Sequence, residues 1–347
     1  MSRHLPRARS GRPLLRRGPD RVQAGLDPRT ALVVDGLSAI ASAALLRLDG
    51  TVGRHDVLAA APELAPVLAA LEVHGVLDDE GHGTLASWRR ERYAADLAAL
   101  ALVTGSTQAA ERVLVRRTRS AVVVRGTDRA AAHVAVGLAA AGVGTVALEG
   151  PDRAALACDV APVSPWEPGA SWRDQVTETV RRLGAHPVRV GIRPPALVVV
   201  CAAADADLPW TDPELCDDLL ADGVVHLPVA VAGAAARVGP MVVPGLTPCL
   251  WCLDLRHRDA DSAWPALADQ LRLRHPRAQA GDGVVATHAA ALAVAEALRV
   301  IDGSGEPATY AAQLALEAPS AVVETVPVVR HPVCGCGWGA NRERMPA

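Results

Sequence analysis

Residues 120–152, SAVVVRGTDRAAAHVAVGLAAAGVGTVALEGPD, decide the fold class. The run AVVV suits a strand buried on both faces. AAAHVAVGLAAAG follows with helical character, and GTVALEG reads as a second strand. Together they describe a βαβ unit, so the sheet is parallel at this point. The weakly charged run from Ala130 to Leu148, which includes His133, reads as a helix and a buried strand rather than a membrane span. Downstream, ALVVVCAAAD (196–205), VVHLPVAVAG (from Val224) and VGPMVVPG extend the sheet. THAAALAVAEALRVIDG (287–303) is a long helix, apolar on most faces, of the kind buried in a core or an interface. Upstream, Arg92 to Val103 is a further helix. No internal repeats occur.

The N-terminal part has a different pattern. Residues 1–11 read as a disordered basic tail. RPLLRR and VQAGL flank a Gly18-Pro19-Asp20 turn and predict a hairpin. TALVVDGL adds a third strand, containing Leu32, Val33 and Val34. SAIASAALLRL, RHDVLAAA and LAPVLAALEVHGVL have helical periodicity. Three strands and three short helices predict a small α+β winged-helix domain over 12–85, with residues 81–86, GHGTLA, as a linker. The remaining divisions are an α/β domain over 86–340 and a tail over 341–347. The third strand offers an edge to which a peptide strand can add, through Leu32, Val33 and Val34. The last helix, 64–77, carries no arginine, which equips it poorly for a DNA groove.

Composition removes several function classes. The chain has 347 residues, 50% of them apolar and 21% charged, with a net charge of −3. It contains no lysine and no phenylalanine, and its only asparagine is Asn341. A GC-rich genome accounts for this bias. Lysine-dependent chemistry is excluded: no P-loop lysine, no Schiff base and no kinase-type lysine. The near-neutral charge argues against a protein dominated by nucleic-acid binding. The arginine-rich N-terminus is not followed by an apolar segment, so no secretory signal is expected, nor a membrane partner.

Of the seven cysteines, four form two close pairs, Cys249-Leu-Trp-Cys252 and Cys334-Gly-Cys336. An odd count with paired spacing suits a metal site in a reducing cytoplasm better than a disulfide framework. Two turns presenting two thiols each predict a structural zinc ion on Cys249, Cys252, Cys334 and Cys336, with His331 as a possible replacement ligand. Cys201 closes a buried strand at a position favoured for sites, but no base neighbours it, and Cys158 and Cys216 are weaker candidates. No catalytic residue is assigned. Asp254 and His257 are expected in an exposed polar loop, 253–262, flanked by Trp251 and Trp264, which serve either as a contact surface or as core.

The loop after the first βαβ strand is where a nucleotide would bind. It reads Gly126-Thr-Asp128-Arg129-Ala-Ala. Only the first glycine stands where a phosphate needs one, and Asp128 replaces the second. Both a purely structural crossover and a nucleotide site using Gly126, Arg129, Glu149 and Asp152 remain open.

With these residues in view, AVVVRGTDRAAAHVAVGLAAAGVGTVALEGPD resembles the opening of the ThiF/E1-like adenylyltransferase superfamily. The cysteine pairs around an alanine-rich helix resemble that superfamily's zinc site. GPMVVPGLTPCLWCLDLRHRDADSAWPALADQL is similar to actinobacterial E1-like proteins related to azoline-peptide (TOMM) cyclodehydratase C components. In that group a winged-helix RiPP recognition element precedes the E1-like domain and binds a leader peptide. The resemblance implies a ThiF/E1-like Rossmann-type sheet with a zinc site, a peptide or protein partner and a homodimer. Active members carry a Gly-x-Gly-Gly-x-Gly loop, an acid before Pro-Asp, a Ser-Asn-Leu-x-Arg-Gln motif and a lysine around ATP. Here Gly150 precedes Pro151-Asp152, Asp205 follows a run of alanines, and Arg92-Tyr93 lacks the second half of an Arg-Tyr-x-Arg-Gln motif. These departures imply a retained fold and lost adenylation, so ATP is not an expected cofactor. A working ThiF-type ATP-dependent adenylyltransferase is the alternative. A winged-helix nucleic-acid-binding protein using Arg3, Arg7, Arg9, Arg12, Arg16 and Arg17 is the second.

Overall fold

The computed structural model describes residues 6–9, 11–79, 85–159, 166–187, 195–204, 208–273, 281–320 and 322–337. The chain forms two compact units, Met1–Val115 and Arg116–Ala347.

In the first unit, Leu14–Arg16, Val22–Ala24 and Leu32–Val34 form a three-stranded antiparallel sheet in that order. Helices Ala39–Leu46, Arg54–Ala60 and Leu64–Val73 cover it. Ser38 starts the first of these, its Oγ accepting from the Ala41 amide at 3.0 Å, as an N-cap serine does. The core is Val22, Leu45, Leu64, Leu68 and Leu71. The segments read as helical from their periodicity form helices in the structure. The segment expected as a tail contains a paired strand: Pro6–Ala8 runs antiparallel to Leu77–Asp79. The Leu77–Asp79 edge gives its backbone groups a partner, and an arginine-rich composition does not prevent pairing. Residues 1–5 and 80–84, most of the expected linker, lie outside the described residues, as does the tail 341–347. Helices Ser87–Arg92, Ala94–Thr104 and Thr107–Arg119 follow, with Tyr93, Leu97, Ala101, Ala110 and Leu114 at their core.

The second unit is an α/β layer structure. Its elements are β1 (Ala121–Arg125), α1 (Arg129–Ala140), β2 (Thr145–Glu149), α2 (Trp172–Arg182), β3 (Leu197–Ala204), α3 (Asp217–Ala221), β4 (His226–Ala232), β5 (Ala235–Val238), α4 (Leu250–Ala260), α5 (Trp264–Leu273), α6 (Gly283–Asp302), β6 (Ala312–Glu317) and β7 (Glu324–Pro327). One seven-stranded mixed sheet has the order β7-β6-β5-β4-β3-β1-β2. β2, β1, β3 and β4 are parallel, and β5, β6 and β7 continue antiparallel. The two kinds of strand explain the sequence pattern. β1 is buried on both sides: Val122 and Val124 face the α1/α6 layer, and Val123 packs with Leu219 and Leu250 on the other.

Within α6, Val285, Ala286, Ala289, Ala290, Ala293 and Ala297 are buried. The small residues let α6 lie close to α1, where a Cβ added at Gly137 would come 3.0 Å from Val294. Among the described residues, α6 is the one helix long and apolar enough to cross a membrane by length and composition. Its buried face belongs to this core. Asp302 closes α6 and accepts a two-pronged, buried contact from Arg117, at 2.9 and 2.6 Å.

Candidate functional site

Two places carry chemistry in the second unit. The first is the cysteine cluster. Cys249 is the N-cap residue of α4 and Cys252 sits in its first turn. Thr247 fixes the approach, donating to the Met241 carbonyl and accepting from the Val243 amide, each at 2.7 Å. The second pair follows a turn closed by the Cys334 amide on the His331 carbonyl, 3.0 Å. The four Sγ atoms lie within 4.8 Å of one another. The separations Cys249–Cys252, Cys249–Cys334 and Cys252–Cys336 are 3.9, 3.6 and 3.5 Å. A tetrahedron of sulfurs about 2.3 Å from a central zinc has edges of about 3.8 Å, so the spacing fits. The chemistry also fits. A hydrogen bond to Cys252, together with burial, holds the Cys249 thiol above its ordinary range, and the same bond draws Cys252 down. Burial first, then the bond to Cys252, pushes Cys336 up to about 12. Burial and the shared hydrogen bonds favour the protonated thiols of Cys249 and Cys336, and a bound cation would compensate the charge of their thiolates. His331 is not part of the cluster: its ring nitrogen meets Asp259 at 2.7 Å.

The residues after the knuckle correct the sequence reading. Leu250–Ala260 is a helix, not a loop, and Asp254 is buried. Asp254 accepts from the Trp264 indole at 2.8 Å, and His257 stacks on that ring at 4.3 Å. Trp264 is therefore core, while Trp251 donates to Asp217 at 2.6 Å.

The second place is the crevice at the carboxyl ends of β1, β2 and β3, where the strand order reverses. Open α/β sheets bind ligands at such a switch point. Gly126 has a φ of 133°, and a side chain there would meet the Cys201 carbonyl oxygen at 2.5 Å. Only glycine fits. Asp128 is buried and caps α1, its Oδ1 accepting from the Ala131 amide at 2.7 Å. That amide is one of the first-turn donors a bound phosphate would use. Burial, opposed by the backbone bond, raises the Asp128 carboxyl to about 6, and its Oδ2 has no hydrogen-bond partner. Arg153, which sequence reasoning missed, donates twice to the Thr127 carbonyl, at 2.9 and 2.7 Å, and pairs with Asp159 at 2.5 Å. Its partner Asp159, six residues on, was the available signal.

The other expected ligand residues are distributed as follows. Glu149, Arg125, Leu148, Gly150 and Arg173 line a cavity of about 260 Å³. Arg125 is held by Asp218 at 2.9 and 2.8 Å. Arg129 donates to the Cys158 carbonyl. Asp152 caps α2 by accepting from the Arg173 amide and the Ser171 hydroxyl, which with nearby arginine charge keeps its carboxyl below the ordinary value. Gly126 and Glu149 thus adjoin the crevice, while Arg129 and Asp152 hold backbone together. Cys201 lies within β3, and burial pushes its thiol well up. Burial also raises Cys216 to about 12. Neither is an activated nucleophile. Asp205 lies outside the described residues. In the first unit, Leu32, Val33 and Val34 form the outer strand of their sheet. Val33 is 46% exposed, and Leu32 and Val34 pack on the core.

No family model matches the chain, and no curated protein sequence matches it. Solved structures do. The crystal structure of E. coli MccB with MccA-N7isoASN has a TM-score of 0.63 at 16% identity, covering 96% of this chain and 99% of that one. E. coli MccB with ATP gives 0.64 at 15% identity over 96% and 99%. Selenomethionine PaaA gives 0.66 at 15% identity over 92% and 99%. At these identities the likeness defines the fold. The chain has the α/β fold seen in MccB and PaaA.

Proposed function

We propose that this chain is a catalytically degenerate E1-like scaffold that binds a peptide or protein partner. The observation that carries the reading is Asp128. A carboxylate of the protein itself takes the helix-terminal amide that a nucleotide phosphate would need, and Arg153 spends its donors on the loop rather than on a ligand. The missing lysine and glycines agree, since phosphoryl chemistry needs charge neutralisation. Residues 12–85 serve as a winged-helix module of the RiPP-recognition-element type, taking a leader peptide along Leu32, Val33 and Val34. The likeness to MccB, whose structures include complexes with MccA, supports a partner of this kind, and the TOMM-related resemblance agrees. Cys249, Cys252, Cys334 and Cys336 would hold zinc. Four thiolates leave the ion no open position, so it supplies folding energy and not catalysis.

The protein acts in the cytoplasm as a homodimer in this reading. The dimer rests on the resemblance alone, because α6 buries its apolar face inside its own unit. The second reading is an active ThiF-type adenylyltransferase. It is favoured by the cavity that Glu149 shares with Arg125 and Arg173, and by the crystallisation of MccB with ATP. ATP–pyrophosphate exchange with candidate peptide carboxylates separates the two. The scaffold reading expects no exchange, and turnover above the enzyme-free rate overturns it. Nucleic-acid binding is tested by titrating duplex DNA at rising salt.

A further inference from the structure

On the face of the sheet that carries α4, a second cavity of about 140 Å³ lies over β4, β5 and β6, apart from both the crevice and the cysteine cluster. Its walls include Trp210, Leu250, Leu253 and His257, and Thr211, Arg237 and Gln313 add polar side chains to its lining. The size is informative. An apolar cavity of about 150 Å³ engineered in another protein holds benzene, so this space matches one six-membered ring in volume. The walls suit a ring, because Trp210 stands edge-on to Trp264 at 5.9 Å, and His257 is fixed by stacking on Trp264. Burial, opposed by the Asp254 charge, lowers the His257 imidazole and disfavours its cationic form.

The charge at the cavity is Arg237. Its side chain is 19% exposed, and it spends one donor on the adjacent Ala236 carbonyl at 3.1 Å. Its charge partner is Glu317, 69% exposed, at 3.2 Å. A solvent-facing carboxylate held by one such contact is weakly bound, and a ligand carboxylate can displace it with a two-pronged contact. Gln313, which also lines the cavity, donates to the Gly239 carbonyl at 2.9 Å.

We propose that this cavity is a binding site for a small molecule consisting of a single aromatic ring with a carboxylate, the ring between Trp210 and His257 and the carboxylate on Arg237. The claim is independent of whether the crevice uses ATP.

The test uses the full chain, with benzoate as the probe and benzyl alcohol as the uncharged control, followed by tryptophan fluorescence and calorimetry. Saturable benzoate binding is expected, with benzyl alcohol weaker by about tenfold or more, the size of a hydrogen-bonded charge contact. Arg237→Gln should weaken benzoate to the level of the alcohol, and Trp210→Leu should weaken both probes. The proposal is overturned if benzoate shows no saturable binding. It is equally overturned if benzoate binds as well to both variants as to the parent, which places the ring elsewhere. Where Arg237→Gln does not fold, Arg237→Lys replaces it. The ammonium keeps the charge but not the fork, and an unchanged benzoate-to-alcohol ratio in that variant overturns the two-pronged contact.

Discussion

Replacing Asp128 by Asn tests the reading of the α1 terminus. The carboxyl rises from 3.8 to about 6 on folding, chiefly through burial. Its protonated form is therefore favoured in the folded chain. The associated stability is fully present below the unfolded pKa, near 3.8, and is lost as pH rises through about 6. At about 1.4 kcal/mol per pKa unit, the loss is about 3 kcal/mol. Asparagine caps helices as well as aspartate does, and it does not ionise. Its amide nitrogen replaces the unpartnered Oδ2, a pH-independent cost of about 1–3 kcal/mol. The diagnostic quantity is thus the change with pH. Relative to the parent, Asp128→Asn should be more stable at about pH 7.5 than at about pH 4, by about 2.4 kcal/mol, because part of the effect is already lost at about pH 4. Urea denaturation followed by circular dichroism at the two pH values measures this. An Asn-minus-parent difference that does not change with pH, or that grows toward acid, refutes the buried-carboxylate argument.

Three further outcomes are expected. Arg117→Ala leaves Asp302 buried without its two-pronged partner and should cost about 3–5 kcal/mol, read as a lowered denaturation midpoint; a loss below about 1 kcal/mol contradicts the buried pairing. Purified protein should contain one zinc per chain by elemental analysis, and Cys334→Ser should lose both the metal and thermal stability; protein that is metal-free but equally stable speaks against the site. Val33→Lys should keep the first unit folded while abolishing leader-peptide binding, whereas Val22→Lys, at a position with 0% exposure, should unfold that unit; intact binding in Val33→Lys removes the edge-strand model.

The sequence made some elements legible because one physical signal dominated each. β1 and β2 have uninterrupted apolar runs, and the leucines of Leu64–Val73 recur at helical spacing. The paired cysteines fixed their cluster by spacing alone. The misread elements are those where signals conflict. In α4 only Leu250, Cys252 and Asp254 are buried, so LDLRHRDA shows the solvent a nearly continuous charged surface and resembles a loop. The burial of Asp254 depends on Trp264, ten residues away, a tertiary contact that no local pattern encodes. α2 is hard to see in the sequence for a similar reason, since WRDQVTETVRR buries only Trp172, Val176 and Val180. The expected helix from Arg92 to Val103 is split at Tyr93 into Ser87–Arg92 and Ala94–Thr104. In the crevice, the glycine loss at Asp128 was visible. That the same carboxylate would cap α1 depended on its backbone direction, which residue type does not specify.

The cysteine cluster has a topological consequence. It joins positions 85 apart in the chain, from Cys249 to Cys334. With a metal bound, everything between them becomes a closed ring containing α4, α5, α6, β6 and β7. For covalent links, closing a ring of about 100 residues removes about 4.7 kcal/mol of denatured-chain freedom in the simple entropy model. Metal removal would therefore be felt well beyond the knuckle. It would free β6 and β7, the outer two antiparallel strands, to unravel from the edge inward, while β5 and the parallel strands β1 to β4 lie outside the ring. Hydrogen exchange after chelation would report that asymmetry as early exposure of β6 and β7 and late exposure of β1.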